Sequence, residues 1–156
     1  MASLWLVLSL AYYTVQHFFA PAPALPSLAL LVGFAGQLLI GVMSYLLPTT
    51  MGGGPSAVRA GLQQLDKLGL LRATFVNGGL LIWIGTDISL LKVAASLLCI
   101  LSLAVYPVLI ARAVKAQKQV LMKKAEGPDP KPEPEWNQVY MGIAILAVVY
   151  ALFTAL

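Results

Sequence analysis

Charge is what this sequence has least of. Only 10% of its 156 residues are Asp, Glu, Lys or Arg, against about 25% in a soluble domain. With 60% hydrophobic residues and a mean hydropathy of +0.86, most of the chain must face something other than water. A single cysteine, Cys99, excludes both an intrachain disulfide and a CxxC redox pair. A single histidine, His17, excludes a zinc or copper site built from several histidines of this chain alone. The net charge of +4 is too small and too localised to point to nucleic acid. No Ser-His-Asp set or carboxylate pair is in prospect, so hydrolytic chemistry has nothing to work with. These absences leave an all-α integral membrane protein.

Apolar runs are there in quantity. A helix needs about 20 apolar residues to traverse the hydrocarbon, and five stretches qualify, roughly 2–20, 27–47, 72–90, 93–114 and 137–156. The prolines of PAPALP (21–26) break the first from the second, because each removes an N–H and restricts its predecessor. Gly85, Thr86 and Asp87 mark a tight turn between the third and fourth. A proline- and charge-rich linker over about 115–136 is expected to be extended and solvated. The expectation is a single transmembrane domain over 1–156, a bundle of about five helices. The first stretch reads as an anchor rather than a cleaved signal. Ala20-Pro21-Ala22 has the small residues, but no Lys or Arg precedes the apolar run.

The basic residues orient that bundle. Five spans put Arg59, Lys67, Arg72, Arg112, Lys115, Lys118, Lys123, Lys124 and Lys131 on one side, nine of the ten, and leave Lys92 alone on the other. Positive loops mark the cytoplasmic side. The expectation is an N-terminus inside and a C-terminus outside.

The stretch YLLPTTMGGGPSAVRAGLQQLDKLGLLR, 45–72, is the least ordinary. A phosphate-binding loop needs a lysine and a hydroxyl residue after its last glycine, following a strand. Here Pro55, Ser56 and Ala57 follow Gly52, Gly53 and Gly54, so the nucleotide reading fails. The three glycines instead allow positive φ and a sharp exit from the second span. Val58, Leu62, Leu65 and Leu68 then recur at helical spacing, with Arg59, Gln63, Gln64, Asp66 and Lys67 between them. That pattern predicts a short interfacial amphipathic helix over about 55–69, apolar face toward lipid. Arg59, Lys67 and the glycine turn would lie at the level of phospholipid headgroups.

Two further groups stand out. Gly33, Gln37, Gly41 and Ser44 fall on one stripe of the second span, and Asn77 with Gly78 and Gly79 offers a complementary surface in the third. Small residues with an occasional amide or hydroxyl are what helix–helix seams use in lipid. His17, one turn from Tyr13, is the only residue with obvious metal or proton chemistry. An imidazole there could ligate haem iron with Met43 opposite, or bind copper with methionines such as Met43 or Met51.

The run from Gly33 to Leu81, and within it SYLLPTTMGGGPSAVR (44–59), resembles a segment of actinobacterial polytopic membrane proteins. Those proteins are described as copper-oxidase or copper nitrite-reductase membrane regions, distantly similar to the catalytic subunit of haem-copper oxidases. The resemblance covers about a third of the chain. Members of that group have about twice as many helices and several histidines, where this chain has His17 only. The resemblance implies a bacterial cytoplasmic membrane and respiratory or copper-related company. The expectation is a non-catalytic subunit of a respiratory assembly such as a terminal oxidase or supercomplex, with other membrane subunits and phospholipids as partners and no cofactor of its own. The alternative is a haem- or copper-binding protein of electron transfer or metal delivery that uses His17.

Overall fold

The computed structural model describes residues 1–19, 25–124, 126–128 and 135–155. The Ala20-Pro21-Ala22 motif, most of PAPALP, and the part of the linker that includes Lys131 lie outside the described residues. Among those described, every regular element is a helix. They are α1 (Ala2–Phe19), α2 (Ala29–Met51), α3 (Gly54–Leu65), α4 (Gly69–Gly85), α5 (Ser89–Leu121) and α6 (Asn137–Thr154). The first eight residues of α2, Ala29–Gly36, are π-wound and the rest is α-helical.

Of these, α2, α5 and α6 are each long and apolar enough to cross a membrane. A fourth candidate is α3 and α4 taken together, which meet at a 40° bend. The expectation of five separate spans is therefore narrowed to three helices, or four with the bent pair. In α1 the polar run of Tyr12, Tyr13, Thr14, Gln16 and His17 dilutes an otherwise apolar helix.

Two compact units divide the chain, Met1–Val42 and Met43–Leu156. In the first, α1 packs on the π-wound part of α2. Trp5 and Ser9, four residues apart on α1, are buried, as are Ala29 and Gly33, four apart on α2. Small residues on one side let the other helix come close.

The second unit is organised by α5. Its buried residues, Leu91, Ala95, Ser102, Tyr106, Leu109, Ala113 and Gln117, recur at steps of three, four or seven residues and form one stripe along the helix. Against that stripe α4 and then α3 run antiparallel over almost its whole length. Trp83 meets Lys92, Gly79 meets Ala95 and Cys99, Arg72 meets Tyr106, Gly61 meets Gln117, and Gly53 meets Leu121. The pair forms a long hairpin whose tight end is Thr86, Asp87 and Ile88. On the other side of α4, Gly142 of α6 lies over Leu71 and Thr74, and Leu146 lies over Gly78.

Three boundaries differ from the sequence reading, each for a local reason. Pro48 sits inside α2, which continues to Met51. The Thr49 and Thr50 hydroxyls donate back to the carbonyls of Tyr45, Leu46 and Leu47, which holds that last turn together. α5 continues seven residues past Val114, into the expected linker. Residues Ala113–Leu121 are mostly strong helix formers, and Ala113 and Gln117 dock on the preceding elements. The third difference is the buried face of α3. It is Ala57, Ala60, Gly61 and Leu65, packed on α5. The predicted stripe of Val58, Leu62, Leu65 and Leu68 is not one outward apolar face, since Leu65 is buried and Leu68 lies beyond the helix in the following turn. Small residues won the contact because they let two helices approach, whereas the larger side chains take the flanks.

Candidate functional site

The buried polar contacts of the second unit gather at two helix breaks, one at each end of α3. At the first, the chain leaves α2 through Gly52, Gly53 and Gly54, with φ of 67°, 94° and 86°. Three successive left-handed residues are a conformation that side chains resist at about 1–2 kcal/mol each. The turn leaves the last carbonyls of α2 without helical donors. Gln117 supplies them: its Nε2 donates to the Pro48 carbonyl at 2.8 Å and to the Gly52 carbonyl at 2.7 Å. The side chain is 1% exposed. A Cβ at Gly61 would sit 2.9 Å from Gln117 Oε1 and 3.1 Å from Pro48 Cβ, so α3 packs here only because that position has no side chain.

The second break is Asp66–Leu68, where Leu68 adopts φ 55°. Arg72, in the first turn of α4, reaches back and donates from Nη2 to the Leu65 carbonyl at 2.5 Å. A cation on the last carbonyl of α3 also complements the helix dipole. The Arg72 guanidinium lies 6.0 Å over the Tyr106 ring, and the Tyr106 hydroxyl is hydrogen-bonded to Ser44 Oγ at 3.0 Å. Ser44 of α2, Tyr106 of α5 and Arg72 of α4 thus join three helices at one level.

The closed end of the hairpin carries the remaining charge. Lys92 Nζ lies 3.8 Å from Asp87 Oδ1 and 5.3 Å over the Trp83 ring. Thr86 Oγ1 accepts from the Ile88 N–H at 3.3 Å and shapes the turn.

The residues singled out from sequence are distributed differently from the pattern that suggested them. Gly33 is buried in the first unit, Gln37 is half-buried, and Gly41 is exposed with nothing within 4 Å of a would-be Cβ. Ser44 of that stripe makes an inter-helix hydrogen bond, to Tyr106. Gly78 receives Leu146, while Asn77 Nδ2 donates within its own helix to the Ala73 carbonyl at 2.7 Å. His17 is exposed on α1 and meets Phe18 edge-to-face, with ring centroids 6.4 Å apart. Met43 is exposed as well and belongs to the other compact unit. Arg59 and Lys67 are both exposed. Among the described residues no three His, Cys, Asp or Glu side chains gather as a metal cage would require.

Gly79, expected at a helix seam, does meet α5 at Ala95 and Cys99, whereas Gln117 was not singled out from the sequence. Gln117 stands in the run AVKAQKQ, whose charges read as linker. The available signal was its spacing, four residues after Ala113 and eleven after Tyr106, on the stripe that the apolar part of α5 already defines. What this arrangement offers chemically is hydrogen bonding to helix ends and close packing. No protein family model matches this chain, and neither a curated protein nor a solved structure matches it.

Proposed function

We propose that this chain is a multi-pass, non-catalytic subunit of a bacterial respiratory assembly, a terminal oxidase or supercomplex, where it packs against neighbouring membrane subunits and lipid. In this reading α1, α2, α4, α5 and α6 make five crossings, α3 lies at the interface, and the N-terminus is cytoplasmic with the C-terminus outside. The observation that carries it is the extent of apolar surface left uncovered. Leu38, Leu39 and Val42 on α2, and Ile143, Val148 and Leu152 on α6, are all exposed. Uncovered apolar surface on this scale belongs against lipid or another protein. Gln117 and Arg72 serve helix ends and the buried Ser102 bonds within its own helix, which suits a scaffold better than a reaction centre. The resemblance of Gly33–Leu81 to oxidase-related membrane proteins supplies the respiratory setting.

The test is purification in mild detergent through a C-terminal tag, with an optical spectrum and mass spectrometry on one sample. Cytochrome-bearing subunits at fixed stoichiometry, undisturbed by His17→Ala, are the expected result. Haem or copper stoichiometric with the isolated chain, and lost in His17→Ala, would replace this reading with the metal-binding one.

A further inference from the structure

The hairpin of α3–α4 and α5 is longer than a bilayer is thick. α5 has 33 residues, or about 50 Å at 1.5 Å per residue, against a hydrocarbon core of about 30 Å. Trp83 and Lys92 fix one border, since aromatic and basic side chains settle at the interface. The hydrocarbon then takes about 20 residues of each helix. Counted from Lys92, that ends at Arg112; counted back from Trp83, it ends close to the break at Asp66–Leu68. Both strands of the hairpin therefore reach polar sequence at one depth, and α3 with Ala113–Leu121 stands beyond the hydrocarbon as a two-helix stem.

On this stem Arg112, Lys115 and Lys118 follow at three-residue spacing and are all exposed. At about 100° per residue they occupy the face of α5 turned away from Ala113 and Gln117, which dock on the stem's inner side. The three span about 9 Å along the axis, close to the headgroup layer of about 5–7 Å on each side of the core. Among the described residues no acid shares that face: Asp87 is at the far end of the hairpin, Asp66 is in the α3–α4 turn, and Glu126 and Glu135 lie beyond the end of the helix. We infer that the Arg112–Lys115–Lys118 face of α5 is a binding site for the phosphates of anionic phospholipids in the surrounding bilayer. The inference rests on the membrane orientation proposed above, though not on the respiratory partners.

The experiment uses the full chain in nanodiscs of mixed phosphatidylglycerol and phosphatidylcholine, with native mass spectrometry of the lipids retained on release. The native chain should retain phosphatidylglycerol preferentially, at roughly 5-fold per cation and on the order of 100-fold for three. The variant Arg112→Gln/Lys115→Gln/Lys118→Gln should lose that preference. The charge-keeping variant Lys115→Arg/Lys118→Arg should keep it, as should Lys92→Gln at the opposite border. Equal retention of both lipids by the native chain overturns the site, and so does a preference that survives in the triple variant. Because the chain is isolated, lipid preference without co-purifying cytochromes leaves this site standing and removes only the respiratory reading.

Discussion

Gln117 is the residue on which most converges. The Pro48 carbonyl of α2 and the Gly52 carbonyl of the following turn both accept from its amide, and the residue is 1% exposed. Gln117→Leu fills much of the same volume but strands both acceptors, and an unsatisfied buried acceptor costs about 1–3 kcal/mol. Thermal unfolding in detergent micelles should show that variant melting below the native chain. Gln117→Glu should fall too, since a carboxylate accepts and cannot donate to those carbonyls. A Gln117→Leu protein as stable as the native one would mean the α2 carbonyls find other donors. Arg72 plays the matching part at the other break, but only half-buried, so its loss is partly repaired by water.

Among the elements, α4 shows how close approach is allocated. A Cβ at Gly79 would lie 2.7 Å from Cys99 Sγ and 3.1 Å from the Ala95 carbonyl oxygen on α5. The carbonyl is backbone and cannot yield without moving the helix. Gly79→Ala should therefore destabilise by about 1–3 kcal/mol, the ordinary cost of overpacking. Gly41→Ala should be neutral or stabilising by up to about 1 kcal/mol, as expected of alanine in a helix with open space around it. Melting temperatures of the two variants side by side check the contrast, and equal effects would refute it. This is also where the sequence was hardest to read. A glycine stripe at helical spacing says that a helix can be approached, not from which direction. Gly33, Gly41 and Gly78 looked alike in sequence, yet one is buried, one is open and one receives a leucine. The apolar runs, by contrast, located the helices well, because length and hydropathy decide whether a segment can cross. The turn at Gly52–Gly54 was legible for the same kind of reason, since only glycine adopts three successive positive φ values at low cost. Gln117 was not legible because its partners are carbonyls, and every sequence has those.

At the scale of the molecule, the testable quantity is which loops share a side. Single cysteines introduced at Lys67 and Lys118 in a Cys99→Ser background should react with a membrane-impermeant maleimide only from the cytoplasmic face. A cysteine at Ser89 should react only from outside. Labelling of Lys67 and Ser89 positions from the same side would break the orientation on which the stem and its cations depend. The hairpin also bears on how the chain enters the bilayer. Between Arg72 and Arg112 the only charged residues are Asp87 and Lys92, and they lie 3.8 Å apart at the closed end. In water such a pair adds little, but in the proposed orientation these are the two groups of the hairpin that would pass through the hydrocarbon during insertion. They can make that passage as a neutral couple, with Trp83 beside the ammonium. In the proposed orientation the turn would be a leading edge of zero net charge, and the cations left behind at Arg72 and Arg112 would stop translocation on both strands.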